Sequence, residues 1–408
     1  MAFKKLFQGR NAGALAVAGR YYRPELDVVR FLAFLLVYLD HTLPRTGTYP
    51  RVAHSLKFFA PVIDASSEAC GFGLSLFFAL SAFLICELLL RERETSGTVR
   101  VKQFYIRRIL RIWPLYYLGL ALGVAVALLP GGQPTDVARI GWFVIFMGAW
   151  QITIHGLVNN PMNPLWSISV EEQFYLFVPW VVKYFSRISL YGLCALIIFV
   201  ANASLYYLGR VQAFSYSIWF NSFVQFECFA AGILLCLVLR GRLPRIVMWK
   251  RLILISASWF CWFYANYGLL SHFDNAAENP GSWPLMGAYA LAATGSVLIL
   301  VAFLGVNPKL LPGWAIYLGR ISFGLYVYHS FAIYITNRLL IDQLTRTEIQ
   351  NDLLRDCLKI GLSLVLPISL TILMAALSYR YFETPFLKMK KRHAVIESEP
   401  VGAHIDLS

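Results

Sequence analysis

The sequence predicts an all-α protein, a polytopic transmembrane helix bundle of about ten spans with both termini cytoplasmic. Three observations carry that expectation. Of 408 residues, 58% are hydrophobic and only 14% are charged, where soluble chains carry about 25% charge. Apolar runs of roughly 20 residues recur between short polar or basic loops, and each suffices to cross a hydrocarbon core about 30 Å thick as a helix. The alternating strands of about ten residues that a β-barrel requires are absent.

Apolar segments fall at 26–43, 70–90, 109–129, 141–157, 172–186, 189–208, 218–239, 252–270, 285–304, 314–336 and 358–379. Two cytoplasmic termini require an even number of crossings, so one segment of the eleven must not cross. With Lys183 and Arg187 held inside, the doubtful region is 141–186, whose two apolar pieces together make one crossing, one of them short or re-entrant. Irregular backbone at membrane depth is tolerated only where it lines a protein cavity. The polar string inside that region is thus a candidate cavity wall.

The net charge of +14 lies beside the spans. It gathers in "RERETSGTVRVKQFYIRRILR", in "RGRLPRIVMWKR", at Lys4, Lys5, Arg10, Arg20 and Arg23, and in "KMKKR". The positive-inside rule assigns such segments to the cytoplasm, which accounts for the excess without a nucleic-acid partner. Seven cysteines are scattered with no C-x-x-C pair and no His/Cys ligand spacing, so neither a disulfide framework nor a metal site is signalled. The N-terminus "MAFKKLFQGRNAGALAVAG" is basic but has a short apolar part, and reads as an uncleaved cytoplasmic tail. The expected organisation is a cytoplasmic tail over 1–24, one membrane domain over 25–387 and a cytoplasmic tail over 388–408.

The first span, "LDVVRFLAFLLVYLDH", carries charges that a lipid-facing helix avoids. Arg30 and His41 are eleven residues apart, about three helical turns, so they share a face some 16 Å apart. Asp27 lies one turn from Arg30. Intramembrane ionisable groups cost on the order of 3 kcal/mol on insertion scales and usually face a working cavity. Pairing of Asp27 with Arg30 near the interface is the plainer alternative. In "FYIRRILRIWPLYY", Arg107, Arg108 and Arg111 open a span, where guanidinium forks and a helix start suit phosphate. A simple positive-inside stop explains the same charges. In "NPLWSISVEEQFYLFVPW", Trp166, Ser169, Glu172 and Tyr175 recur every three residues as a drifting polar and aromatic stripe, and Glu171 beside Glu172 is hard to explain as solvated loop. Arg320, His329, Glu383, His155 and Glu227 read individually as structural polar groups between helices. Asp40 lies about 100° off the Arg30/His41 face and has no assigned role.

"ELDVVRFLAFLLVYLDH" resembles the opening R-x10-H segment of acyltransferase family 3, the bacterial integral-membrane O-acyltransferases. "GLSLFFALSAFLI", "FYIRRILRIWPLYYL" with its R-x-x-R, "LWSISVEEQFYLFVP", "QFECFAAGILL", "LGRISFGLYVYHS" and "YFETP" are similar to that family's later landmarks, in the same order. The resemblance implies transfer of an acyl group, most often acetyl from acetyl-CoA, to a hydroxyl of a carbohydrate or glycoconjugate. By position it implies His41 as catalytic base or acyl relay, Arg30 as its motif partner and Glu172 as a site carboxylate. It further implies Arg108 and Arg111 near CoA and Ser169 with Glu172 on the pocket wall, to which the reading of the residues adds Arg107 for CoA phosphate and Asp27, Trp166 and Tyr175 for the pocket. Ser75, Ala82 and Val28 stand where the family pattern usually has aspartate, glycine and glycine.

The expected partners are acyl-CoA as a consumed donor, a carbohydrate or lipid-linked glycan acceptor and the lipid bilayer, with no permanently bound cofactor. A bacterial inner-membrane location follows from the same resemblance. A secondary transporter is the alternative reading of the intramembrane charges, but no inverted repeat is visible and transport gives no reason for the R-x-x-R cluster.

Overall fold

The computed structural model describes residues 21–43, 58–129, 137–270, 278–338, 352–393 and 396. Among these every regular element is helical, as the sequence predicts. Residues 1–20 of the expected N-terminal tail and most of the expected C-terminal tail lie outside the described residues.

Helix α1, Pro24–Thr42, opens with proline in its first turn, where the missing N–H has no intrahelical partner to lose. Glu25 and Asp27 in that turn favour the positive end of the helix dipole, and His41 stands in the last turn. Helix α2, Ala60–Ala69, runs through a 3-10 turn at Cys70–Phe72 into α3, Gly73–Ser96. Gly97, at φ 74°, ends α3 in the left-handed conformation that glycine adopts without steric cost. Helix α4, Val101–Leu128, follows after a four-residue connection, 97–100.

The region 137–184 departs from the two pieces expected of it. Helices α5, Val137–Val144, and α6, Gly148–His155, have eight residues each, about 12 Å at the α-helical rise and too short to cross. The break between them includes Phe146 at φ 58°. Helix α7, Leu165–Tyr184, starts seven residues before the predicted segment and has 20 residues, about 30 Å. Its polar string is therefore the first half of a long helix, with the short pair α5–α6 packed beside it.

Helices α8, Arg187–Arg210; α9, Ser215–Trp219; α10, Ser222–Leu239; α11, Met248–Tyr264; and α12, Ser282–Phe303, complete the middle of the chain. The segment predicted as one span at 314–336 is broken into α13, Gly313–Arg320, and α14, Ser322–Thr336. The break coincides with a close approach: a Cβ at Gly319 would lie 1.9 Å from the Asp27 carbonyl oxygen, so only glycine lets α13 reach α1. Helix α15, Asp352–Ser378, passes through a π turn into α16, Thr384–Lys391.

Seven of these helical segments are long and apolar enough to cross a membrane by length and composition, and the protein is a multi-pass membrane protein. The apolar window of the α2–α3 segment is 78% buried and that of α10 72%, against 22% for α8 and 17% for the α15–α16 segment. Helices α3 and α10 therefore form the centre, while α8 and α15 offer their sides to lipid. Small residues permit this contact: a Cβ at Gly232 would lie 2.2 Å from the Ala79 carbonyl oxygen. Polar groups join α11 to α12, where Ser258 donates to the Gly295 carbonyl at 2.8 Å and Trp262 to the Ala292 carbonyl at 3.1 Å.

Candidate active site

Asp27 on α1 is buried and tied from several sides. Arg30 Nη1 donates to its Oδ1 at 2.6 Å, and the Tyr22 hydroxyl donates to its Oδ2 at 2.9 Å. Arg320, at the end of α13, reaches the Tyr22 oxygen at 3.1 Å and places Nε 4.0 Å from Asp27 Oδ2. Burial and the neighbouring carboxylate push the Tyr22 phenol up to about 12, so it stays protonated and remains a donor. Asp27 thus holds two arginines in one place. The pairing expected of Asp27 and Arg30 is present, and it coexists with a place for Arg30 on a cavity wall.

That cavity, of about 120 Å³, is lined by Arg30, Ser81 of α3, Arg108 and Arg111 of α4, Glu171 and Tyr175 of α7, and Tyr326 of α14, among apolar neighbours. Glu171 accepts hydrogen bonds from Ser81 at 2.8 Å and from Tyr175 at 3.2 Å. The Arg108 guanidinium stacks 5.4 Å from the Tyr175 ring and 5.6 Å from the Phe104 ring, and its buried Nε has no partner. Stacking leaves the planar fork free to meet a planar or tetrahedral anion. The lining thus holds three arginines and one carboxylate, with Asp27 paired to Arg30 behind it.

The remaining predicted residues divide. Arg107 points away from the cavity, donating to Glu92 Oε2 at 3.1 Å and to the His393 carbonyl at 2.9 Å. Glu172 takes a hydrogen bond from Trp113 at 3.3 Å and is not on the cavity wall, whereas its neighbour Glu171 is. Trp166 packs edge-on against Phe220, with centroids 4.6 Å apart, and Ser169 is buried against Tyr116 of α4. Ser167, which the sequence stripe omits, lines the cavity instead.

His41 stands exposed at the far end of α1, beyond the cavity. Its Nδ1 lies 2.7 Å from the Val37 carbonyl, which can only accept, so Nδ1 carries the hydrogen and the neutral ring keeps a free lone pair on Nε2. The sequence read its neighbour as a structural polar group. His329 of α14 lies with its ring centroid 5.2 Å from that of His41, edge to face. It is fully buried, and its ring is 5.4 Å from that of Tyr326 on the cavity wall. Tyr326 and His329 therefore connect the arginine-lined cavity to His41. The sequence signals for His329 were a histidine in an apolar run and its place in the landmark "LGRISFGLYVYHS", and neither pointed to His41.

A family described as an acyltransferase domain matches residues 23–379, from just before α1 to just beyond α15. A Staphylococcus aureus (strain COL) protein provisionally named an O-acetyltransferase is 26% identical over 338 residues, covering 78% of this chain and 52% of its own. The peptidoglycan O-acetyltransferase OatA of Listeria monocytogenes is 30% identical over 171 residues, 39% of this chain and 24% of its own. Nodulation protein 10 of Rhizobium leguminosarum is 22% identical over 348 residues, 77% of this chain and 83% of its own. The chain thus spans about half the length of the first curated relatives it matches. No solved structure matches. The matched region contains the cavity, both histidines and the arginines of α4, and the chain belongs to acyltransferase family 3.

Proposed function

We propose that this protein is a membrane O-acyltransferase that moves an acyl group, acetyl from acetyl-CoA, onto a hydroxyl of a carbohydrate or glycoconjugate. The observation that supports it best is the convergence of Arg30, Arg108 and Arg111 on one cavity whose wall includes Tyr326, a residue that packs on His329, itself packed against His41. The names of the relatives, O-acetyltransferases among them, support the same class of reaction and a glycan acceptor.

The topology that goes with this reading has ten crossings. To the seven helical segments already counted it adds α1, α7 and the broken α13–α14 pair, with α5 and α6 dipping in without crossing. An even number leaves both termini on one side, and the basic run from Arg91 to Arg111 marks that side as cytoplasmic. The membrane is the bacterial inner membrane. Residues 25–387 form the single membrane domain, flanked by cytoplasmic tails.

In this reading the CoA phosphates approach Arg108 and Arg111 from the cytoplasm, and the acyl-pantetheine arm follows the cavity towards Tyr326. Arg107 secures the chain after α16 beside that entrance, and Glu171, bonded to Ser81 and Tyr175, fixes the wall opposite the arginines. The bare Nε2 of His41 takes the proton of the acceptor hydroxyl as its oxygen attacks the thioester carbon. The C–S bond then breaks, and the thiolate leaves with that proton.

The test is purified protein in lipid nanodiscs, given acetyl-CoA labelled in the acetyl carbon together with envelope glycan extract. Label appearing in base-labile ester on the glycan is the predicted result. Label remaining on CoA with every hydroxyl acceptor offered contradicts the reading.

A further inference from the structure

Several arginines of the bundle are spent on the protein itself. Arg251 donates to the carbonyls of Ile246, Ala302 and Leu304, Arg93 to those of Val182 and Phe185, and Arg91 gives Glu87 two bonds. Arg30 and Arg320 are not. A guanidinium has five N–H donors, and among the described residues Arg30 spends one on Asp27 and Arg320 one on the Tyr22 oxygen. The Arg320 Nε is buried without a hydrogen-bond partner, and at 4.0 Å from Asp27 Oδ2 it lies beyond bonding distance. Both side chains keep an open edge, with 28% of Arg30 and 27% of Arg320 exposed.

The two guanidiniums share one buried carboxylate, so the pair keeps a positive charge in excess. Glu25, the other acid of that turn, is taken up elsewhere, accepting from the Gly305 N–H at 3.3 Å. The pair is also held in place before any ligand arrives. Tyr22 donates to Asp27 and accepts from Arg320, and Gly319 lets the end of α13 close onto the α1 backbone. Free planar forks with a surplus positive charge suit a phosphate monoester, which carries close to two negative charges and three acceptor oxygens.

We propose that Arg30 and Arg320 form a second anion subsite that takes the 3′-phosphate of CoA, while the diphosphate goes to Arg108 and Arg111. The proposal rests on the acyl-CoA reading above and divides the recognition of the donor within it. The covalent order of CoA makes the assignment. Its diphosphate lies between ribose and pantetheine and enters deeper, towards Arg108, whose Nε is buried. The 3′-phosphate hangs from the ribose and stays nearer the mouth. Arg320 is tied to Tyr22, which precedes the first residue of α1, the cytoplasmic end in that reading. Arg30 lines the same cavity as Arg108 and Arg111, so the two subsites lie along one wall.

The test compares CoA with 3′-dephospho-CoA by calorimetric titration of the full chain in nanodiscs. The unaltered protein should bind CoA about tenfold more tightly, as expected for the loss of a charge-assisted contact. Arg320→Gln should bring CoA down to the level of 3′-dephospho-CoA and leave the latter unchanged. Arg320→Lys keeps the charge and should restore part of the difference. Arg108→Lys should weaken both ligands by the same factor, as would any Arg320 change whose effect was only structural.

Equal affinities in the unaltered protein, as a lipid headgroup or free phosphate seated on this pair would give, overturn the subsite. An Arg320→Gln protein that keeps its preference for CoA, or loses both ligands alike, overturns it too. Tyr22→Phe tests the same point where Arg320→Gln does not fold, because it removes only the oxygen that anchors Arg320. It should shrink the preference for CoA, and an unchanged preference overturns the subsite. Equal binding of the two ligands by a protein that still transfers acetyl overturns the subsite alone, whereas binding of neither overturns the donor reading with it.

Discussion

Asp27 Oδ1 accepts from Arg30 Nη1 at 2.6 Å, and this single bond within one turn of α1 decides where a cavity arginine points. Asp27 is almost fully buried, while Arg30 keeps part of its guanidinium open to the cavity. Asp27→Asn keeps the volume and removes the charge. The expected result is a loss of ~2 kcal/mol in folding stability, since a charge-assisted bond becomes a neutral one, together with weaker donor binding as Arg30 and Arg320 repel. Thermal unfolding in detergent and calorimetric titration with CoA measure the two effects.

Adjacent arginines on α4 should behave differently. Arg108 is stacked on Tyr175 with an unpartnered Nε, and Arg107 is already held by Glu92 and the His393 carbonyl. Arg108→Lys keeps the charge but loses the planar fork, so CoA should bind about tenfold more weakly. Arg107→Ala should leave CoA affinity near that of the unaltered protein and lower stability by about 1 kcal/mol through the lost ion pair. Equal losses of CoA affinity in both variants would show that the two face the donor together.

The two glutamates of α7 make a similar contrast. Glu171 lines the cavity and accepts from Ser81 and Tyr175, whereas Glu172 accepts from Trp113 outside it. Glu171→Gln should reduce turnover at least tenfold, a cost of about 1.4 kcal/mol in the barrier, and Glu172→Gln should reduce it less. Steady-state rates of thiol release from acetyl-CoA give the order, and the reverse order would return the site carboxylate to Glu172.

Gly319 and Gly232 test the packing that places these side chains. A methyl at 319 meets the Asp27 backbone and one at 232 meets the Ala79 backbone, neither of which can swing aside. Each Gly→Ala change should cost about 1–3 kcal/mol. Gly319→Ala should also weaken CoA binding by moving Arg320 away from Asp27, an effect Gly232→Ala should lack. The readouts are the unfolding midpoint and the CoA affinity of each variant.

Much of the fold was legible because lipid imposes a simple code: long apolar helices, basic cytoplasmic loops and buried charge only where a cavity needs it. The break at Ile321 and the start of α7 at Leu165 were not legible, because they depend on tertiary contacts such as that of Gly319 with Asp27. On α7 the stripe at steps of three was the wrong ruler. Three residues turn a helix by about 300° and four by about 400°, so the cavity face follows Ser167, Glu171 and Tyr175 while Trp166 turns to the opposite side. Arg30 and His41 could be placed on one face because one helix holds both. The place of His329 beside His41 could not be read, since it is a contact between residues remote in sequence.

The central claim is that donor binding and proton removal sit at opposite ends of one seam, with the arginines at one end and His41 at the other. Acetyl-CoA affinity and turnover measured together on His41→Ala in nanodiscs test it most directly. The account predicts donor affinity equal to that of the unaltered protein and acyl transfer to glycan lowered at least about 10²-fold. A folded His41→Ala protein that transfers acetyl at the unaltered rate would contradict it.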